Sequence, residues 1–237
     1  VAEFEKLFAA YIGMPHGLMA NSGSSANLLA LSILINPRFP HPIRPGEEII
    51  APSCTWSTPI YPIINVGAVP VLVDSRPGTY DIIPEEVEKA ISSKTRAIMP
   101  VHLLGGPCDM KRIMEIADKH DLYVVEDTCE SYGAEFRGKR VGSFGHLSTF
   151  SFFLSHHITT IVGGMLLVKD DDMQRRLLCE GHLIALCVCK PLPHLHIHAA
   201  VGVHEKSSVT GDGVGRPFET APCQHESALR CSCTPCT

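Results

Sequence analysis

The sequence predicts an α/β fold with a mostly parallel central sheet, and two observations support this prediction. Short apolar runs alternate several times with amphipathic segments over residues 1–170, as expected for parallel strands that are connected by helices. The chain is also 45% hydrophobic, which is enough apolar material to bury a real core. We therefore expect one large domain over residues 1–180 and a segment of different character over residues 181–237.

The first predicted element is an amphipathic helix. Val1, Phe4, Phe8 and Tyr11 recur at helical spacing, with charged residues between them, and Gly13 ends the pattern. Because no helix start signal precedes this segment, we expect that the chain begins inside a larger protein and that the domain is incomplete at its N-terminus.

A small, hydroxyl-rich turn over residues 21–27 precedes a second predicted helix over residues 28–34. A turn of this kind at the start of a helix exposes backbone N–H groups and the positive end of the helix dipole, so it can bind a phosphate group. The alternative is an ordinary N-cap by Ser22 or Ser24, and the motif taken alone favours this alternative.

Strands and helices then alternate along the chain. Strands are predicted over residues 48–51, 68–74, 96–101, 122–126, 147–152 and 165–168, and helices over residues 84–91 and 110–120, the latter capped by Asp109. The loop after the first of these strands contains the only tryptophan, Trp56. Because open α/β sheets bind ligands at the carboxyl ends of their strands, the position of Trp56 among polar residues favours a binding site over a core position.

Two further polar positions follow predicted strands. Asp127 ends an apolar strand, where its carboxylate could pair with a buried cation or cap the next turn. His156 and His157 lie between small hydroxyl residues and the Gly163–Gly164 pair. This histidine pair fits either an ordinary polar loop or a functional site, and the sequence around it does not choose between them.

Charge, hydropathy and cysteine usage argue against a nucleic-acid-binding, membrane or secreted protein. The formal net charge is -5, so we expect no general attraction to nucleic acid or to an anionic membrane surface. No apolar run approaches the roughly 20 residues of a transmembrane helix, and we expect no signal peptide. Only Cys54, Cys108 and Cys129 precede residue 170, which is typical of a reduced protein, and we expect the cytoplasm as its location.

The tail over residues 181–237 shows no sustained helical or strand period from Lys190 on. Cys231, Cys233 and Cys236 have a spacing that metal or iron–sulfur ligands can adopt. We favour the alternative that this tail has no evolved structure, because no core pattern nearby would hold ligands in place. The sequence therefore predicts no metal site, and a tail that is either disordered or read in a shifted frame.

Residues 1 to about 178 resemble the PLP-dependent sugar-nucleotide aminotransferases of the DegT type, which adopt fold type I of the PLP enzymes. The resemblance implies the large domain of that fold, with the C-terminal small domain missing or replaced. It implies pyridoxal 5′-phosphate (PLP) or pyridoxamine 5′-phosphate as cofactor, with Asp127 on the pyridinium nitrogen and Trp56 stacked on the ring. Glu130 would lie near the phenolic oxygen of the cofactor. The residues that the resemblance assigns to the cofactor phosphate are Gly23, Ser24, Ser25 and Ser151.

The lysine that holds the cofactor covalently in these aminotransferases has no counterpart here. His156 stands at its position, five residues after Ser151. Histidine cannot form that stable bond, but it can act as an acid or a base near neutral pH. The segment from Ser151 to Thr159 resembles a branch of sugar 3-dehydratases, which remove the 3-hydroxyl group of a nucleotide-linked 4-keto-6-deoxyhexose in deoxysugar biosynthesis. The resemblance implies that His156 is the catalytic proton-transfer residue.

Within that branch, the chain resembles the GDP-4-keto-6-deoxymannose type, which uses glutamate as amino donor, more than the CDP-sugar type with an iron–sulfur cluster. The resemblance also implies a nucleotide-sugar substrate and a homodimer. Gly106 and Val162 depart from the family pattern, in which an asparagine and an acidic residue are common there. Two alternatives stay open: a sugar-nucleotide aminotransferase, which the missing lysine argues against, and an inactive fragment or non-catalytic metal-binding protein.

Overall fold

The computed structural model of the protein describes residues 1–37, 39, 41–171 and 173–174. The helices in this part of the chain are α1 (Ala2–Ile12), α2 (Gly23–Leu34), α3 (Ser57–Asn65), α4 (Pro84–Ala90) and α5 (Met110–His120). The strands are β1 (His16–Ala20), β2 (Glu48–Pro52), β3 (Val69–Val73), β4 (Thr95–Ile98), β5 (Tyr123–Asp127), β6 (Glu135–Phe136), β7 (Lys139–Arg140), β8 (Leu147–Ser151) and β9 (Gly164–Val168). A short 3-10 turn covers Leu103–Gly105.

A seven-stranded sheet in the order β1-β9-β8-β5-β4-β2-β3 organises these elements. Each neighbouring pair from β8 to β3 is parallel, whereas β9 is antiparallel to both β8 and β1. β1 therefore runs in the same direction as the parallel strands, and β9 alone is reversed in this sheet. The predicted α/β fold with a mostly parallel sheet is confirmed.

Helices cover both faces of the sheet. On β2, Ile49 packs into the apolar cluster that contains α2, whereas its neighbour Ile50 packs into the cluster that contains α5. Val125 and Val124 of β5 divide between the two clusters in the same way. Because successive strand residues point to opposite faces, both faces of these central strands are buried. This explains why the strands are continuous apolar runs in the sequence.

Three helices begin or end at residues that are typical helix caps. Gly13 adopts a left-handed conformation (φ 94°), and its N–H donates to Ala9 O, which ends α1. Ser22 is the N-cap of α2, because its Oγ accepts from the N–H of Ser25. Asp109 accepts from the N–H of Arg112 and begins α5. The predicted caps at Ser22 and Asp109 are thus confirmed.

Several elements were not predicted from the sequence, among them α3, β1 and the short β6–β7 pair. α3 follows the Trp56 loop and contains Pro59 in its first turn and Pro62 in its interior. Prolines are rare inside helices, so the sequence of this segment looked like a loop. β1 is short and half-buried, and it is a strand because it pairs with the fully buried β9. α2 also begins at Gly23, five residues before the predicted start.

The predicted boundary near residue 180, and the cysteine- and histidine-rich tail over residues 181–237, lie outside the described residues. In the part of the chain that the structure describes, none of the helices has the length and apolar character that crossing a membrane requires.

Candidate functional site

A cavity of about 350 Å³ opens at the edge of the sheet where parallel strands end. It lies beyond the carboxyl ends of β2, β4, β5 and β8, which is where open α/β sheets bind ligands. All but one of the predicted site residues line it, namely Gly23, Ser24, Trp56, Asp127, Glu130, Ser151 and His156. The sequence-predicted residues are therefore brought together in one place by five different segments of the chain.

Ser25 is the predicted site residue that does not line the cavity. Its N–H donates to Ser22 Oγ at 3.1 Å, and its own Oγ accepts from Ser22 Oγ at 3.0 Å. The Ser25 side chain is thus part of the helix cap. Ser22, Gly23 and Ser24 face the cavity instead. Because the first N–H groups of a helix have no partner within the helix, this end of α2 is suited to an anion.

Close packing brings the start of α2 against the end of β8. A Cβ atom on Gly23 would lie 2.6 Å from Ser151 Cβ and 2.9 Å from Cys129 Sγ, so only glycine fits here. Ser151 Oγ accepts from the N–H of Phe153 at 3.3 Å and also lines the cavity. The helix start and the Ser151 hydroxyl together form one polar cradle at this end of the cavity.

Asp127 is buried at the end of β5 and is held at both carboxylate oxygens. Its Oδ1 accepts from the N–H of Cys129 at 3.0 Å, which is the turn cap that the sequence allowed as an alternative. Its Oδ2 accepts from Asn27 Nδ2 at 2.8 Å. The carboxylate still borders the cavity, with 3% of the residue exposed. A carboxylate fixed in this way can pair with a positively charged nitrogen that enters the cavity.

Glu130 lies one turn beyond Asp127 at the rim of the cavity. Its Oε2 accepts from the N–H of Leu104 at 3.1 Å. Leu104 has a left-handed backbone conformation (φ 51°), which is uncommon for a leucine. The carboxylate of Glu130 therefore holds the segment after β4 in position beside the cavity.

Trp56 is 68% exposed and precedes the first residue of α3. The prediction that it lies at a site rather than in the core is supported, because its side chain lines the cavity. An exposed indole face at the mouth of a cavity can stack on a flat aromatic ligand.

His156 lies in the loop between β8 and β9. Its N–H donates to Phe153 O at 2.9 Å, and its ring meets the Phe153 ring edge-on, with the ring centres 6.1 Å apart. Its Nδ1 is buried and has no hydrogen-bond partner among the described residues. His157, in contrast, is exposed and does not line the cavity. Of the two adjacent histidines, the structure thus places only His156 at the cavity.

The sequence did not indicate several polar residues that lie at the cavity wall or directly behind it. Asn27 and Thr149 are completely buried beside Asp127, and Thr149 Oγ1 donates to Asn27 Oδ1 at 2.6 Å. Thr55 Oγ1 is buried at the cavity without a partner among the described residues. A signal for Asn27 existed, since the apolar run over residues 28–31 follows it, and an asparagine that is buried with such a run needs a partner.

Cys129 also lines the cavity, where its surroundings disfavour the thiolate form. Burial raises the pKa of its thiol well above the usual range, and the adjacent Asp127 carboxylate raises it further. Within the described ranges, no cluster of three or more His, Cys, Asp or Glu side chains could hold a metal ion.

These features fit a flat, phosphate-bearing cofactor such as PLP. The tight approach at Gly23 leaves a cradle that a side chain would fill, and a buried carboxylate lies on the same cavity wall. His156, whose buried Nδ1 has no partner among the described residues, and the exposed Trp56 line the same cavity. Each feature therefore has a matching part of the cofactor: a phosphate, a ring nitrogen, a ring face and a reacting carbon.

Comparison with known proteins agrees with this geometry. A model of the DegT/DnrJ/EryC1/StrS aminotransferase family matches residues 1–187. The dTDP-4-dehydro-2,6-dideoxy-D-glucose 3-dehydratase of Saccharopolyspora spinosa is 41% identical over 189 residues, which are 79% of this chain and 41% of that protein. The GDP-perosamine synthase of Caulobacter vibrioides is 44% identical over 177 residues, which are 75% of this chain and 46% of that protein.

A solved structure is similar over the same region. The crystal structure of a GDP-4-keto-6-deoxymannose-3-dehydratase with a trapped PLP–glutamate geminal diamine matches with a TM-score of 0.71 and 38% identity, covering 75% of this chain and 46% of that one. The predicted fold type I architecture is confirmed by this match. The chain spans less than half the length of these relatives.

Proposed function

The chain belongs to the DegT/DnrJ/EryC1/StrS aminotransferase family, and on that basis we propose that it is a PLP- or pyridoxamine 5′-phosphate-dependent sugar 3-dehydratase. Its reaction would remove the 3-hydroxyl group from a nucleotide-linked 4-keto-6-deoxyhexose. The observation that carries this proposal is His156, which borders the cavity with a buried and unpartnered Nδ1. The roles of the other cavity residues follow from the groups that they present to a bound cofactor.

The cavity residues divide by the part of the cofactor that they would hold. Gly23 and Ser24 at the start of α2, with the Ser151 hydroxyl, would bind the phosphate. Asp127 would pair with the pyridinium nitrogen, and Trp56 would cover the ring. When bound, the cofactor supplies an amino group and an electron sink for the sugar. The protein supplies the binding, the orientation and the proton transfers.

His156 is the residue that favours dehydration over transamination in this proposal. A covalent bond to the cofactor needs a lysine, and none of the described residues that line the cavity is a lysine. An imidazole at this place can accept and return a proton near neutral pH, because its ordinary pKa lies close to that range. A cofactor that is not tied to the protein can leave or be renewed between turnovers, which suits a reaction that uses glutamate to restore the amine form.

The substrate, the amino donor and the assembly are part of the same proposal. The dehydratase relative is named for a nucleotide-linked dehydro-sugar, and the similar crystal structure contains a glutamate adduct. We infer a nucleotide sugar as substrate, glutamate as amino donor, a homodimer as the working unit and the cytoplasm as the location. The cysteines at positions 54, 108 and 129 are free thiols, consistent with a reducing compartment.

A sugar-nucleotide aminotransferase is the second candidate, since the GDP-perosamine synthase relative is 44% identical over 177 residues. The two activities give different products, because an aminotransferase leaves nitrogen on the sugar and a dehydratase removes an oxygen from it. His156 favours the dehydratase, because transamination in this family depends on the lysine that it replaces.

One incubation tests both candidates. The full chain is mixed with pyridoxamine 5′-phosphate, glutamate and GDP-4-keto-6-deoxymannose, and the sugar product is analysed by mass spectrometry and NMR. The proposal predicts a sugar that lacks the 3-hydroxyl group, with 2-oxoglutarate formed only when substrate is present. An amino sugar would establish the aminotransferase instead. The absence of any product with a sugar of this class would contradict the proposed function for this chain.

A further inference from the structure

We propose that Asn27 is a positioning residue of the site, which aims the Asp127 carboxylate and anchors the Trp56 segment at the ring end of the cavity. This inference rests on the proposed function, because it concerns the binding of the cofactor ring. Asn27 does not line the cavity itself, since it lies one layer behind Asp127. It acts through the three groups that its amide contacts.

The Asn27 amide is completely buried, and its NH₂ group meets an acceptor while its oxygen meets a donor. Its Nδ2 donates to Asp127 Oδ2 at 2.8 Å, and its Oδ1 accepts from Thr149 Oγ1 at 2.6 Å. A carboxylate can only accept, so the NH₂ group must face Asp127 and the oxygen must face Thr149. The orientation of the amide is thus determined by the chemistry of its neighbours.

A third contact links Asn27 to the segment that carries Trp56. Asn27 Nδ2 also lies 3.4 Å from Thr58 O, in the first turn of α3. In a regular helix, that carbonyl would accept from the N–H of the residue four positions later. That residue is Pro62, which has no N–H group. The proline therefore leaves the Thr58 carbonyl available, and the Asn27 amide occupies it.

These contacts explain how Asn27 can act on a ligand that it does not touch. Asp127 Oδ1 is already held by the N–H of Cys129 at 3.0 Å, so Asn27 fixes the second oxygen and prevents rotation of the carboxylate. The same amide holds the start of α3 at a set distance from β5. A single side chain on α2 thus sets the spacing between the carboxylate and the tryptophan on either side of the proposed ring site.

The position of Asn27 gives the test its selectivity. Asn27 is the fifth residue of α2, one turn after the Gly23 and Ser24 groups that would bind the phosphate. A change that merely disturbs this helix would weaken phosphate and ring binding together. A change that acts through Asp127 and Thr58 would weaken ring binding alone.

The experiment measures the binding of two probes to the full chain, its Asn27→Leu variant and a control. Leucine has a similar volume but leaves Asp127 Oδ2 without its donor. Ser32→Ala is the matched control, because Ser32 is on the same helix and its Oγ donates only to Leu28 O. Pyridoxamine 5′-phosphate is titrated by the quenching of Trp56, the only tryptophan in the chain. Inorganic phosphate is titrated by its competition with that probe.

We expect Asn27→Leu to weaken pyridoxamine 5′-phosphate binding about 10- to 100-fold, the range for losing a hydrogen bond to a charged group. Inorganic phosphate binding should change less than about twofold on the same scale, and the control should match the unaltered chain. If the leucine variant does not fold, Asn27→Asp answers the question, because it keeps the shape and the contact with Thr149 while removing the donor.

Unchanged cofactor binding in a folded Asn27 variant would overturn the inference alone, and so would an equal loss for both probes. If the unaltered chain fails to bind pyridoxamine 5′-phosphate, the proposed function fails and this inference fails with it. The two failures are therefore distinguished by which protein loses binding.

Discussion

Gly23 and Ser151 pack so closely that the first residue of α2 has no room for a side chain. A Cβ atom on Gly23 would lie 2.6 Å from Ser151 Cβ, closer than two carbon atoms approach without a bond between them. The cradle at this end of the cavity is therefore built by backbone approach, with the helix start on one side and the end of β8 on the other. The proposed phosphate site depends on this contact.

Substitution of Gly23 by alanine tests the cradle. The added methyl group must push α2 away from β8 or displace the Cys129 thiol, which lies 2.9 Å from the same position. Overpacking of this kind costs about 1–3 kcal/mol of stability. We expect a lower thermal midpoint and the loss of both inorganic phosphate and pyridoxamine 5′-phosphate binding. A variant that binds both ligands normally would show that the phosphate is bound elsewhere.

Asp127→Asn tests the proposed partner of the ring nitrogen. Removing one member of a buried charge pair costs on the order of 3–5 kcal/mol, so turnover should fall by orders of magnitude and the cofactor should bind more weakly. Phosphate binding should persist, because the cradle is not altered. Asp121→Asn serves as control, since Asp121 is an exposed residue at the end of α5. Near-normal turnover of the Asp127 variant would rule out this pairing.

Glu126→Gln tests how β5, the strand that carries Asp127, is held in place. The Glu126 carboxylate is completely buried and accepts from the N–H groups of Gly142, Phe144 and Gly145 at 2.6–2.8 Å. An amide in its place turns an NH₂ group toward these donors, and each donor left without an acceptor costs about 1–3 kcal/mol. We expect a lower midpoint of urea unfolding. Glu115 is exposed, so Glu115→Gln should leave the urea midpoint unchanged. Equal midpoints for the two variants would contradict the structural role of Glu126.

The same carboxylate also fixes a buried histidine. His102 Nε2 lies 3.1 Å from Glu126 Oε2, and His102 Nδ1 accepts from the N–H of Cys108 at 3.0 Å. Because Nδ1 is used as an acceptor, the proton of the neutral ring lies on Nε2 and points to Glu126. The segment after β4 is thus tied to β5 at the residue that precedes Asp127, and the Glu126 variant should also weaken cofactor binding modestly.

The sequence predicted the fold and most of the site because these depend on local patterns. Buried parallel strands appear as continuous apolar runs, and Ser22 and Asp109 are typical helix caps. Asp127 was a candidate because it ends an apolar strand at the edge where ligands bind, whereas the role of His156 came from the resemblance to the sugar 3-dehydratases.

The parts that the sequence did not reveal depend on contacts between distant segments. Asn27 and Asp127 are 100 positions apart in the chain, and nothing near Asn27 indicates that its amide meets a carboxylate. α3 was missed because it contains Pro62, and proline usually breaks a helix. The Thr58 carbonyl, which Pro62 cannot serve as a donor, is instead bound by the Asn27 side chain from α2. Ser25 was assigned to the cavity, but its hydroxyl is used in the helix cap.

The central claim is that His156 occupies the place of a cofactor-binding lysine, and the most direct test restores that lysine. The variants His156→Lys and His157→Lys are each incubated with PLP and reduced with borohydride, and the modified residue is identified by peptide mass spectrometry. The two positions are adjacent, but only His156 lines the cavity, so His157→Lys is a matched control.

We predict a borohydride-stable PLP adduct at position 156 in His156→Lys, no adduct at position 157 in His157→Lys, and none at either position in the unaltered chain. The His156→Lys variant should also lose dehydration of the nucleotide sugar. A His156→Lys variant that binds PLP without any adduct at position 156, or an adduct at position 157 in its place, would contradict the account.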